Sequence, residues 1–402
     1  MWTRDFVLFF TARTVSMLGS AMMPVATALG MHDAGYGATG VGLALAAWMV
    51  PMAGLILFGG VLMDRFTPRR MMVGADLART ATQAGTAALF GLGRPELWQV
   101  VALSAVAGAA AAMYTPGVAG TISRIAADVQ RANATLRMSE AIMQLLGPGL
   151  AGALVGLAGV GVVFAADSAG FAISAACLLL MRVRVAGSGE EPVLVRLREG
   201  WREFRSRTWM WSVILIWVVF GITLFGPLIP LGSVLVTDAY GQTAYGLVMS
   251  ASGAGTIVGG LVALRIRPAR PLAAGGIGMF LFALEPLSFA AGVPLGVIMA
   301  CHVVGGAGWA FWSVMWATSV QTLVPAEALN RVSAYEIGGS TMSLPIGQAL
   351  AGPVAALVGS REVLGFSALV TVAGCLALLT LRPVRQITVR PPEEDRKAAP
   401  AS

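Results

Sequence analysis

Charge is scarce in this chain. Asp, Glu, Lys and Arg make up 12% of its 402 residues, about half the share of a soluble domain, and there is one lysine against 26 arginines. Histidine occurs twice, at 32 and 302, and cysteine three times, at 177, 301 and 375, each isolated from the others. That scarcity leaves no clustered metal site, no histidine- or cysteine-based nucleophile and no disulfide framework. No phosphate loop of the GxxxxGK type is present, so ATP is not the expected energy source. The sequence therefore predicts no enzyme, no cofactor and no metal.

What is abundant is hydrocarbon. Hydrophobic residues reach 57% and the mean hydropathy is +0.78, the composition of an integral membrane protein. A spanning helix needs about 20 apolar residues, and about 33 residues are available for each of twelve spans and its loop. Apolar runs bounded by charge, Gly or Pro predict helices over 5–29, 39–62, 71–92, 97–119, 134–157, 160–181, 208–236, 243–264, 272–291, 294–321, 333–357 and 362–381. The first run lacks an A-x-A-like cleavage site and is expected to be retained. Nearly all arginines outside the spans fall on one set of loops and the C-terminal tail, whereas the opposite set holds Arg94 and Arg361. The positive-inside rule then places both termini and the 182–207 segment in the cytoplasm. The net charge of +7 is thereby a matter of topology, and no nucleic-acid partner is expected. The second half of the 182–207 segment has helical charge spacing suited to the membrane surface.

The halves repeat. An offset of 200 residues superposes Gly59-Gly60 on Gly259-Gly260, Arg65 on Arg265, Pro68 on Pro268, Arg70 on Arg270, Gly108 on Gly308, Arg131 on Arg331, Leu150-Ala151-Gly152 on Leu350-Ala351-Gly352 and Arg182 on Arg382. Six spans per half give both copies the same orientation, as in secondary transporters whose substrate sits between parallel repeats. The expected fold is an all-α membrane protein of twelve helices, in two six-helix bundles related by a pseudo-two-fold axis along the membrane normal. The bundles are 1–181 and 208–381, the linker 182–207, and 382–402 a disordered cytoplasmic tail.

The run Gly60-x-Leu62-x-Asp64-Arg65-Phe66-x-x-Arg69-Arg70 resembles the helix 2–3 signature of the major facilitator superfamily, with a degenerate second copy at Gly260, Arg265 and Arg270 in which Leu264 replaces the acid. The continuations MMVGADLARTATQ, RANATLRMSEAIMQLLGPGLAGAL and VFAADSAGFAISAACLLL are similar to the drug:proton antiporter branch that includes macrolide and enterobactin exporters. The resemblance departs from the family where Thr67-Pro68 replaces the usual glycine, and where helix 4 lacks the arginine many relatives carry. It implies a bacterial cytoplasmic membrane, coupling to protons, and export through the Gly147-Pro148 element of helix 5, a monomer being expected.

Independently of that likeness, Asp64 at the end of helix 2 suits a gate, accepting hydrogen bonds from an adjoining helix N-terminus while Arg65, Arg69 and Arg70 lie in the headgroup layer. The plain alternative is that these charges only set topology. Ionisable residues inside spans are functional candidates because each is costly there. Asp76 and Arg79, and Arg137 and Glu140, are spaced i,i+3 and either pair structurally or take part in proton transfer. Asp167 is a proton or substrate group. Glu285, followed by Pro286, either takes up a proton in an apolar site or reaches water near the interface. Arg13 is a counter-ion to Asp167 or Glu140, or a contact for an anionic substrate, and Glu336 is a further gate residue. On helix 10, His302, Trp309, Trp312 and Trp316 form either an aromatic wall for a flat or cationic substrate or ordinary packing against Gly305. Pro148 and Pro345 are expected to bend helices 5 and 11. The expected function is proton-coupled export of small hydrophobic drug-like compounds or secondary metabolites. The rivals are a lipid or lipid-linked flippase, an importer of the same fold, and a receptor or scaffold.

Overall fold

The computed structural model describes residues 2–65, 67–93, 95–125, 129–182, 201–266, 268–325, 332, 335–336, 338–385 and 387–388. The described chain is helical throughout. Its first half comprises α1 (Arg4–Asp33), α2 (Gly37–Arg65), α3 (Pro68–Leu92), α4 (Leu97–Ile125), α5 (Val129–Ala158) and α6 (Val160–Leu180). The second comprises α7 (Thr208–Tyr240), α8 (Gln242–Arg265), α9 (Pro271–Ala291), α10 (Leu295–Leu323), α11 (Gly338–Val358) and α12 (Ser360–Thr380). Among the described residues eleven helices are long and apolar enough to cross a membrane, and α3 is the twelfth. It is the more polar helix because it carries Arg69, Arg70, Asp76, Arg79 and Gln83.

The helices begin and end for local reasons. Thr3 caps α1 by accepting the Phe6 N–H at 3.3 Å. Pro68 opens α3 at a position where a missing N–H costs nothing. The turns into α6 and α12 need left-handed backbone, which Gly159 (φ +85°) and Gly359 (φ +100°) supply. These two glycines stand 200 residues apart, so the offset read in the sequence reappears as matching turns. In α11 the helix breaks at Met342–Ser343, and Pro345 sits in the first turn of the resumed helix, Leu344–Val358. In α7 a π-helical segment, Gly221–Phe225, interrupts the α-helix, and α9 tightens to a 3₁₀ turn over Phe280–Ala283.

Two compact units result. One holds Met1–Glu191 with Phe225–Ser250 and Leu344–Ser360; the other holds Pro192–Leu224, Ala251–Ser343 and Arg361–Ser402. In the first, Phe6, Phe9, Met72, Tyr114 and Leu178 build a core between α1, α3, α4 and α6. Backbones also approach closely at small residues. A side chain at Gly147 would come within 2.5 Å of Ala21 on α1, and one at Gly152 within 2.8 Å of Gly246 on α8. Thus Gly147-Pro148 belongs to a surface of α5 that lies directly on its neighbours. The second unit buries Phe204, Met210, Ile214 and Val320 together, with Trp209, Trp316 and Tyr335 packed on them. The short helical piece at 201–206 contributes to that core, while 183–200 lies outside the described residues. Leucines such as Leu157, Leu180 and Leu369 are well exposed, as lipid-facing side chains should be.

Candidate functional site

The polar side of α3 is the centre of the first unit. Asp76 is fully buried, and its Oδ2 accepts the Ser174 hydroxyl of α6 at 2.6 Å. Arg79, 9% exposed, donates to Ser20 Oγ of α1 at 2.9 Å and lies 3.6 Å from the centroid of the Phe171 ring. The expected Asp76–Arg79 pair is therefore not formed. Although the i,i+3 spacing puts both on one side of the helix, Asp76 is engaged by a hydroxyl of α6 and Arg79 by a hydroxyl of α1, and the guanidinium face is covered by the Phe171 ring of α6. Ser168 of α6 adds a hydrogen bond to Thr80 O at 2.9 Å.

One turn further along α3 stands Gln83, on which sequence reasoning placed no weight. Its Nε2 donates to Asp167 Oδ2 at 2.8 Å. Asp167 is fully buried, and its Oδ1 lies against Gly19, where any side chain would overlap it. Arg13 is the counter-ion of neither Asp167 nor Glu140; its guanidinium stands 5.7 Å from the Tyr114 ring centroid. The physical reason is distance along α1. Asp167 sits at the level of Gly19, six residues and about 9 Å from Arg13, within reach of the α3 side chains instead.

A cavity of about 90 Å³ opens beside this junction between α1, α2, α3, α4 and α6. Its polar lining is Ser20, Thr27, Gln83, Thr86 and Ser104, and its apolar walls include Met23, Trp48 and Phe164. Gln83 thus touches both the cavity and Asp167, while Ser20 touches both the cavity and Arg79. A period-3.6 reading of α3 would have found Arg79, Gln83 and Thr86 on one polar stripe, but glutamine and threonine carry no charge to draw attention.

In the second unit Glu285 is 2% exposed and does not reach water. Ser252 of α8 donates to its Oε1 at 3.0 Å, and its methylenes fill the space left by Gly305 of α10. His302 is fully buried, with Nδ1 2.8 Å from Ile298 O and Nε2 3.9 Å from Glu285 Oε2. His302 therefore belongs with Glu285 and not with the tryptophans. Those form a separate row: Trp312 stacks on Trp217 of α7 at 4.7 Å and on Trp316 at 6.1 Å, and Trp309 faces Phe282 of α9. Trp316 also donates to Glu336 Oε1 at 2.7 Å. Trp312 is 2% exposed, so its faces are occupied by other rings.

The remaining sequence candidates spread out. Glu140 pairs with Arg137 at 3.1 Å on an exposed side of α5. Arg69 donates through Nε to Leu178 O at 2.8 Å and through Nη2 to Leu179 O, satisfying the last carbonyls of α6; Arg70 is exposed. Gly60, Asp64 and Arg65 lie on helical backbone whose side chains are outside the described residues. At the end of α1, His32 Nε2 lies 3.1 Å from Asp238 Oδ1, and Gln242 Nε2 donates to Asp33 at 2.6 and 2.7 Å. These contacts join the end of α1 to α7 and α8 within the first unit.

A profile of the Major Facilitator Superfamily matches residues 6–336. Macrolide efflux protein A of Streptococcus pyogenes is 21% identical over 413 aligned positions, covering 97% of this chain and 98% of its own. Enterobactin exporter EntS of Salmonella paratyphi A is 26% identical, covering 96% and 94%. Among solved structures, a POT family transporter in complex with 5-aminolevulinic acid superposes with a TM-score of 0.76 over 96% of this chain and 97% of that one, at 12% identity. A polar helix threaded through an otherwise apolar bundle, a cavity against it and a family match over most of the chain agree: this protein belongs to the Major Facilitator Superfamily and is a multi-pass membrane transporter, not an enzyme.

Proposed function

We propose that the protein exports small, largely hydrophobic compounds across a bacterial cytoplasmic membrane in exchange for protons, by alternating access, as a monomer with both termini in the cytoplasm. The observation that carries this reading is the double engagement of Gln83. Its amide holds the buried carboxyl of Asp167 and also lines the cavity. A carboxylate accepts that amide hydrogen bond more strongly than the neutral acid does. Protonation of Asp167 therefore frees Gln83 to serve a bound solute, and a solute that engages Gln83 favours the protonated carboxyl. Proton and solute are linked through one side chain, and such linkage is reciprocal.

The cavity walls suit the solute class. Met23 and Trp48 offer an adaptable apolar surface, and the hydroxyls of Ser20, Thr27, Thr86 and Ser104 offer orientation without charge. Export accords with two relatives whose names describe efflux of a macrolide and export of enterobactin. The arginine-rich loops orient the chain. Asp64 and Arg65 act at a cytoplasmic gate, and the chain is organised as the halves 1–181 and 208–381 with the linker 182–207.

The test is efflux of a panel of dyes and antibiotics from cells expressing the protein, with and without a protonophore. Efflux should stop when the proton gradient collapses, and Asp167→Asn should reach the membrane at normal level yet lose uphill efflux at least tenfold. Gln83→Leu should retain proton binding but lose the dependence of proton release on solute. Full uphill efflux by Asp167→Asn, or efflux driven by Na+ alone, would overturn the reading.

A further inference from the structure

A second buried acid stands apart from the cavity. Glu285 lies two residues after the end of a 3₁₀ turn of α9 and directly before Pro286, which has no N–H to give to the preceding turn. The helix is tightened and interrupted where the carboxyl leaves it. Gly305 on α10 supplies the recess that receives the side chain, and Gly306 brings α8 close enough for the Ser252 hydroxyl to reach Oε1. Three helices thus converge on one carboxyl.

The histidine beside it fixes where a proton must go. Ile298 O can only accept, so Nδ1 of His302 carries the hydrogen in their 2.8 Å contact. In the neutral ring Nε2 is then an acceptor, fully buried and without a hydrogen-bond partner. The group nearest to it in the right direction is Glu285 Oε2, at 3.9 Å. A carboxylate cannot donate; the neutral acid can. A hydrogen bond of about 2.7 Å would need the two groups to approach by about 1.2 Å from the 3.9 Å separation. The site therefore has a place for one proton. Phe289 covers the imidazole at 4.7 Å, and Cys301 is the neighbouring titratable group. Among the described residues no arginine, lysine or aspartate faces the pair. Ser252 is the member of the trio that is not fully buried, which makes its hydroxyl the link between the pair and the edge of the unit.

We propose that Glu285 and His302 form a one-proton binding site in the second unit, the proton being held between Glu285 Oε2 and His302 Nε2 and exchanged past Ser252. The ligand is a proton and not a metal ion, because one carboxyl, one imidazole and one hydroxyl supply too few oxygens for a hard cation and too few nitrogen or sulfur ligands for a transition metal. Its use in transport rests on the proton coupling proposed above; the binding of the proton does not.

Infrared difference spectra of the purified full-length protein, titrated with pH, read the site directly. One carboxylic-acid C=O component should vanish in Glu285→Gln. His302→Gln and Ser252→Ala should each keep that component but shift both its frequency and its pH midpoint, since each removes a partner of the carboxyl, and the retained component shows the fold to be intact. The proposal fails if Glu285→Gln leaves the spectrum unchanged, if His302→Gln leaves band and midpoint where they were, or if Na+ at fixed pH abolishes the band. Protonophore-insensitive efflux alongside the predicted spectra would sink the coupling of the preceding section and leave this site standing.

Discussion

Gly19 and Gly305 act alike, since each withholds a side chain so that a carboxyl from a neighbouring helix has somewhere to sit. Asp167 fills the first space and Glu285 the second. Burying a polar group without a partner is costly, and both acids are met by a neutral donor, Gln83 or Ser252. Neutral donors leave the carboxyl free to change its protonation state, which a bidentate arginine would not. Gly19→Ala should therefore displace Asp167 and remove uphill efflux as completely as Asp167→Asn, with protein still in the membrane; normal efflux by that variant would show the recess to be unimportant. Arg69 is a different kind of residue. It holds the α6 carbonyls, and Arg69→Ala should cost about 1.5–3 kcal/mol, the range for a hydrogen bond to a charged group, seen as a lower melting temperature in detergent with solute binding unchanged.

At the scale of the element, α3 and α5 do most of the positioning. The glycines of LLGPGLAGAL place α5 against α1 and α8, with Gly152 and Gly246 nearly backbone to backbone. Gly152→Leu cannot be accommodated without moving α8 and should lower transport rate more than solute affinity, a split between turnover and KM that a cavity mutation would not give. The sequence made this helix conspicuous through its glycines and proline. It made α3 conspicuous only through Asp76 and Arg79, with a structural pair as one of the two readings of their spacing, and that pair does not form. The spacing rule is correct for an isolated helix, where neighbours on one face have only each other. Inside a bundle, Ser174, Ser20 and the Phe171 ring compete and win. The spans themselves were legible because twelve apolar runs between charged boundaries leave little choice of register. The cavity was not, since Ser20, Gln83, Thr86 and Phe164 come from three helices and none stands out alone.

For the molecule as a whole, the repeat has kept its turns and parted with its chemistry. Gly159 and Gly359 make matching turns, yet Asp76, Arg79, Gln83 and Asp167 have Gly276, Met279, Ala283 and Ser367 at the corresponding places. Conversely Glu285 and His302 answer to Gly85 and Ala102. Ser367 bonds the backbone of α7 at Thr223 O, so where the first copy has a titratable group the second has a structural one. Each half thus holds its own acid on a different helix. In the double variant Asp167→Asn/Glu285→Gln the loss of proton release on alkalinisation should equal the sum of the two single losses, because the two acids share no hydrogen-bond partner and independent sites are additive; a marked deficit would show the two acids to be one coupled system.

The polarity of α3 also bears on how the protein is made. On a translocon scale an aspartate and an arginine near mid-helix together cost about 5–7 kcal/mol of insertion free energy, and among the described residues α3 is not one of the eleven helices long and apolar enough to cross a membrane. Left to itself, such a segment stays out of the lipid. It is stable there because Ser20 of α1 and Ser174 of α6 receive its charged groups. α1 is already present when α3 leaves the ribosome, but α6 is not. Insertion of this span should therefore be incomplete in chains ending at Leu92 and become complete only once α6 has been synthesised, a delay that a glycosylation-mapping series of truncated chains would time. The side chains that make the site work would, on this view, also oblige the ribosome to run nearly ninety residues ahead of a finished membrane helix.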